Sequence, residues 1–208
     1  MKNLFIVFEG IDGSGTSTQS SLLKDYFTAK GHQAVLTCEP SNGPIGNLIR
    51  QALKRRVFFV NDSQKFDEQM AYLFAADRYD HLFNEVDGVF KLINDDFTVI
   101  STRYFFSSLA YHWNTHEDWE LVSSLNDGFP NPDLVVYIDI PVEVALTRIR
   151  DRSVKDIYEN QDKLARVSKN YQDIFSKYEG LALQVDGREE KDLVHQKIVN
   201  FIENTFAK

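Results

Sequence analysis

Short apolar runs alternate with longer amphipathic stretches from one end of the chain to the other. The runs at 4–8, 34–37, 98–101, 134–138 and 181–185 have the length of strands. The fourth, Leu134-Val135-Val136-Tyr137-Ile138, has no polar position at all, as expected of a strand covered on both faces of a parallel sheet. Between the runs, helical spacing predicts helices over 17–30, 46–56, 67–86, 106–112, 118–125, 142–150, 160–178 and 190–206. The first ends at Gly31, and the one over 142–150 starts just after Pro141. Strands separated by helices predict an α/β domain with a five-stranded, doubly wound parallel sheet. No internal repeat or low-complexity tract interrupts the alternation, so a single domain over 1–208 is expected.

Composition narrows the function classes. The chain has 208 residues, 43% of them hydrophobic, enough for one full core without staples. It carries 23 Lys+Arg against 31 Asp+Glu, a net charge of −8. An acidic surplus argues against general affinity for nucleic acid or anionic membrane, whereas a small anion needs only a few focused donors. The lone Cys38 excludes an internal disulfide. The opening Met1–Glu9 lacks a signal-peptide signature, and no apolar run reaches membrane-span length, so a cytoplasmic protein is expected.

The densest chemistry is Gly10-Ile11-Asp12-Gly13-Ser14-Gly15-Thr16-Ser17-Thr18, which leaves the first strand and opens a helix. This is the layout of a phosphate-binding P-loop: glycines let backbone N–H groups surround an anion, the helix N-terminus adds partial positive charge, and Ser17 can ligate Mg²⁺. The lysine of that pattern is Thr16 here. A unit charge 4 Å from another is worth about 4 kcal/mol at an effective dielectric of 20, before desolvation. Its loss bears on mechanism.

Several further segments, in one order, resemble the thymidylate kinase family of P-loop nucleoside-monophosphate kinases. They are Phe8-Glu9-Gly10-Ile11-Asp12-Gly13, Glu39-Pro40 with Gly46 and Arg50, Leu73-Phe74-Ala75-Ala76-Asp77-Arg78, Arg103-Tyr104 with Ser107-Ser108-Leu109-Ala110-Tyr111, and Pro132–Pro141. The resemblance implies a P-loop NTPase fold, ATP with Mg²⁺ as phosphate donor, and conversion of dTMP to dTDP toward dTTP synthesis. It also implies a homodimer of small-molecule nucleotide-binding subunits.

The resemblance further implies roles for residues at these positions. Asp12 would accept the 3′-hydroxyl, Phe74 would stack on the base, and Arg78 would donate to a base carbonyl. Arg50 and Arg103 would hold the acceptor phosphate, and Glu39 would support them. Tyr111 would press on the sugar, and Ser108 and His112 would lie at the base edge. On residue type alone, Phe74 is equally a core aromatic, and Arg78 equally an ion-pair partner of Asp77 or Asp80. The donor would be held by the loop with Arg148 and Arg188, and Arg152 would act in catalysis from a charged lid near 148–160. Charge alone makes that segment an ordinary solvated surface.

Two departures from the family pattern fall together: Thr16 replaces the lysine, and Thr102 replaces the acid that usually precedes Arg103. The missing charges are expected from Arg103, Arg150, Arg152 or Lys155, and from Glu9 or Asp12 through water. Asp139 is the reserve magnesium candidate. His112 and His116 are read as a helix-surface pair rather than a metal site, and Cys38 as a small core residue. A kinase for another deoxynucleotide or a deoxynucleoside, and a nucleotide-binding protein that has lost catalysis, are the alternatives.

Overall fold

The computed structural model describes residues 3–57, 59–60, 62–150, 158 and 160–206. Five strands, β1 (Phe5–Glu9), β2 (Ala34–Cys38), β3 (Thr98–Thr102), β4 (Leu134–Asp139) and β5 (Ala182–Asp186), form one sheet in the order β2-β3-β1-β4-β5. Every pairing is parallel. Each predicted strand is present, displaced by a residue or so at its ends. The helices are α1 (Thr16–Ala29), α2 (Pro44–Leu53), α3 (Ser63–Phe83), α4 (Val89–Asn94), α5 (Phe105–His112), α6 (His116–Asn126), α7 (Val142–Ile149), α8 (Gln161–Phe175) and α9 (Lys191–Phe206). The six-residue α4 has no counterpart among the predicted helices. It is too short to show a repeating apolar stripe, and only Val89 in it is buried.

The central strands explain the two-sided core. In β1, Phe5 and Val7 belong to one cluster, with Ile49 of α2, Met70 of α3 and Tyr171 of α8. Ile6 and Phe8 point the other way, against Leu23 and Phe27 of α1 and Ile198 and Ile202 of α9. Both faces are therefore sealed by helices, which is why β1 and β4 read as unbroken apolar runs.

Strands β1 and β4 are adjacent, but the chain leaves β1 toward β2 and leaves β4 toward β5, on opposite sides. Such a divergence opens a crevice at the carboxyl ends of the strands. The glycine-rich segment 10–15, the Glu39–Pro40 turn, Thr102-Arg103 and Gly187-Arg188 all lie at those ends.

Candidate active site

The loop after β1 is held by a backbone bond from Ser14 N–H to the Ile11 carbonyl, 3.0 Å, and by Gln19 N–H to Gly15, 3.0 Å. Gly13 has φ +86°, and a Cβ there would come within 2.9 Å of the Ala145 carbonyl, so glycine is required for both conformation and space. Helix α1 begins with no side-chain cap and no acid in its first turn. Its first N–H groups are thus left for an external acceptor, the condition under which a helix N-terminus binds an anion.

A cavity of about 620 Å³ opens over this turn, with Gly13, Ser14, Gly15, Thr16, Ser17 and Thr18 on its wall. Arg148 of α7 donates to the Gly13 carbonyl, 3.2 Å, and the Gly187 carbonyl, 2.8 Å, tying the loop to the turn after β5. Arg188 borders the same cavity but is paired with Asp186 at 2.6 Å. Thr102 borders it as well. The two threonines that depart from the expected pattern therefore border one cavity.

A second cavity of about 230 Å³ lies between α2, α3 and α5, bordered by Arg50, Phe74, Arg78, Ser108, Tyr111 and His112, every one of them expected at the acceptor. Asp12, Glu39 and Arg103 border both cavities, so these three side chains stand where the two meet.

Arg103 holds that junction. It follows β3 with φ +73°, a left-handed conformation that costs a non-glycine residue roughly 1–2 kcal/mol. Arg103 N–H donates to the Phe8 carbonyl at 2.8 Å, and Ser101 Oγ donates to the Arg103 carbonyl at 2.9 Å, fixing the strained turn. Its guanidinium pairs with Asp12 Oδ1 at 2.6 Å and donates to the Gly10 carbonyl at 3.1 Å. Tyr111 Oη donates to Asp12 Oδ2 at 2.8 Å.

Beneath Arg103 lies Glu9, completely buried. Its Oε1 accepts from Tyr104 N–H at 2.7 Å and Ser107 N–H at 3.3 Å; its Oε2 accepts from Ser107 Oγ at 2.7 Å and Tyr171 Oη at 2.8 Å. Burial pushes its pKa up to about 7, against the opposing pull of Arg103 and these donors. Glu9 borders neither cavity, so the expectation that it serves the donor phosphates through water is not supported. It anchors the turn that carries Arg103.

Arg78 is also completely buried, and it pairs with neither Asp77 nor Asp80. Its Nε and Nη2 donate to Glu39 Oε2 at 2.9 and 2.7 Å, Nη2 to Ser108 Oγ at 3.0 Å, and Nη1 to Asn126 Oδ1. His81 faces the other Glu39 oxygen at 3.2 Å. Glu39 is thus the counter-ion of a buried cation. Arg50 turns its guanidinium onto the backbone carbonyls of Pro40 and Ser41, shaping the turn after β2.

Other expectations need correction. His112 and His116 are not a surface pair: His112 ends α5 and is 3% exposed, whereas His116 begins α6 in solvent. No group of three potential metal ligands occurs among the described residues. Asp139 accepts from Tyr137 Oη at 3.2 Å and Gln184 at 3.2 Å and borders a neighbouring groove, not the loop cavity itself. Cys38 is half-buried, its thiol donating to the Pro40 carbonyl at 3.4 Å. Arg150 is exposed beyond α7 and borders neither cavity. Arg152 and Lys155, with most of the lid expected near 148–160, lie outside the described residues.

Several residues on the walls of these cavities were missed, Lys54 and Lys191 among them, and one aromatic stands out. Tyr158 borders the acceptor cavity, its ring 5.9 Å from Tyr111 and 6.1 Å from His112. Its hydroxyl donates to Asp67 at 2.9 Å, which also pairs with the buried Lys163 at 2.8 Å. A single aromatic inside a charged stretch was the signal available.

The thymidylate kinase family model matches residues 8–198. A protein named "Probable thymidylate kinase" from Thermococcus kodakarensis is 38% identical over 204 residues, covering 96% of this chain and 97% of its own. Another of the same name, from Methanococcus aeolicus, is 41% identical over 174 residues, covering 84% and 80%. The structure of thymidylate kinase from Candida albicans superposes with a TM-score of 0.77 at 24% identity, covering 98% of this chain and 92% of its own, which establishes the shared fold.

Proposed function

The chain belongs to the thymidylate kinase family and is a nucleoside-monophosphate kinase, and from that premise we propose how its two cavities divide the work. The larger takes the ATP polyphosphate on the loop and the uncapped start of α1. The smaller takes dTMP, with its phosphate at Arg103. The observation that carries this reading is the junction: Asp12, Glu39 and Arg103 border both cavities, so donor and acceptor phosphates placed there face one another.

An oxygen of the acceptor phosphate attacks the γ-phosphorus, a new P–O bond forms, and the bond to the β–γ bridging oxygen breaks, leaving ADP. The acceptor is already anionic, so no general base is needed. Catalysis is positioning and charge neutralisation. Arg103, fixed in its strained turn, offers N–H groups to both phosphates. Asp12 orients Arg103 and accepts the 3′-hydroxyl. Tyr111, held by Asp12, presses on the sugar. Arg148 borders the donor nucleotide, and Arg152, a charge neighbour of Arg148 in sequence, supplies charge that Thr16 cannot.

Family members use ATP as donor, generally with Mg²⁺. The uncapped helix start and the Ser17 position at the donor cavity fit that pair. Ser17 and phosphate oxygens would hold the ion, which when bound offsets phosphate charge.

A homodimer fits the exposed face of α3, where Tyr72, Tyr79 and Phe83 stand 49%, 64% and 45% exposed at helical spacing. No helix among the described residues is long and apolar enough to cross a membrane.

The test is ADP release from ATP and Mg²⁺ across a panel of nucleoside monophosphates and deoxynucleosides. Preferred turnover of dTMP is expected. Preference for another acceptor would reassign the substrate, and nucleotide binding without turnover would overturn the kinase reading.

A further inference from the structure

The acceptor cavity has a larger neighbour. That further cavity, about 630 Å³, lies among the end of α2 and the starts of α3, α6 and α8. Among the described residues, Tyr158 alone borders both. It precedes α8 and is 8% exposed, so its ring is the partition between them. Where that ring stands decides whether the acceptor cavity is closed or runs on into its neighbour.

Two charged side chains fix the ring in two directions. Asp67 of α3 accepts from the Tyr158 hydroxyl through Oδ1, 2.9 Å, and from Lys163 of α8 through Oδ2, 2.8 Å. Lys163 Nζ also lies 4.8 Å from the centre of the Tyr158 ring, within cation–π range. Asn114, between α5 and α6, steadies the carboxylate by donating to Oδ2 at 3.2 Å. Lys163 is 5% exposed. Replacing a buried ion pair with apolar residues of matching shape often leaves stability unchanged or raises it. Stability alone therefore gives no reason for an ion pair here. A carboxylate, in contrast, is a strong acceptor that holds a tyrosine hydroxyl at a fixed point, and the ammonium offsets its charge. Neither Asp67 nor Lys163 borders the donor or the acceptor cavity, so both act through Tyr158.

We propose that Asp67 and Lys163 are positioning residues for acceptor binding, the pair locking Tyr158 as the wall that closes the acceptor cavity. This rests on the acceptor reading above and adds the residues that hold its wall. The pair acts on affinity for the acceptor, not on the chemical step.

The test replaces the pair with apolar residues, Asp67→Leu together with Lys163→Met. Dissociation constants for dTMP and ATP are measured by titration calorimetry, beside KM, kcat and the melting temperature. The double variant should keep its melting temperature. Its Kd and KM for dTMP should rise roughly tenfold, the worth of one hydrogen bond to a charged group, with kcat and ATP affinity within about threefold. Tyr158→Phe should weaken dTMP binding to a similar degree in the wild type and add nothing in the double variant. Lys163→Arg, which can keep both contacts, should stay within about threefold of the wild type. A folded double variant with wild-type dTMP affinity would overturn the assignment, as would a Tyr158→Phe effect that persists in full in that background. If the double variant does not fold, Tyr158→Phe decides, and wild-type dTMP affinity in it would overturn the assignment. If the wild type prefers another nucleoside monophosphate, that acceptor replaces dTMP throughout; the dTMP reading then fails while the pair is still tested. A wild type that binds no monophosphate would overturn both.

Discussion

Glu9→Gln isolates the group that anchors the Arg103 turn. The native carboxyl titrates at about 7, against 4.5 for an ordinary glutamate. Native protein therefore binds this proton more tightly than unfolded chain does. The resulting stability is fully present below pH 4.5 and is lost progressively as pH rises through about 7. At 1.36 kcal/mol per unit, the stretch between these values amounts to about 3 kcal/mol. Glutamine can keep the local bonding, its oxygen facing the N–H groups of Tyr104 and Ser107 and its amide facing the hydroxyls of Ser107 and Tyr171. Urea unfolding of both proteins at steps between pH 4.5 and 8 removes the contributions of all other groups by difference. Stability of the wild type relative to Glu9→Gln should fall by about 3 kcal/mol over that window and level off above it. A difference that stays flat, or rises with pH, would refute the assignment of a burial-dominated shift.

Three further outcomes are expected. Arg103→Ala should lower kcat by roughly 10²–10³, as loss of a preorganised donor at a developing charge does, with little change in the melting temperature; steady-state kinetics checks it. Glu39→Gln leaves the buried Arg78 guanidinium without its counter-ion and should cost about 3–5 kcal/mol in urea unfolding, far more than removing an exposed pair such as Lys24–Asp25. Thr16→Ala should slow turnover much less than Arg148→Ala or Arg152→Ala, since the donor-side charge comes from arginine. Small, equal effects in all three would sink that view.

Much of the fold was legible because burial on both faces leaves an unmistakable pattern. The run 134–138 had to be an interior strand, and β4 is one. The P-loop was legible for a different reason: its glycines answer to geometry, as Gly13 against the Ala145 carbonyl illustrates. What escaped were properties that arise between distant segments. Glu9 read as a residue near phosphates, but its oxygens are taken by Tyr104, Ser107 and Tyr171, contributed from β3, α5 and α8 regions far along the chain. His112 read as surface because His116 lies four residues away, yet the chain turns out of α5 at Trp113 and starts a new helix. Arg78 had two acids close in sequence and took neither, since Glu39 approaches from β2. Periodicity sees one element at a time, and these are contacts between elements.

The most direct measurement follows the phosphoryl group itself. ATP labelled with ³²P at the γ position is incubated with the full chain, Mg²⁺ and dTMP, and the products are separated by chromatography. Expected is label in dTDP, made despite threonine at position 16 and strongly reduced by Arg103→Ala. Label that remains in ATP, or passes to water or another acceptor in preference to dTMP, would contradict the assignment.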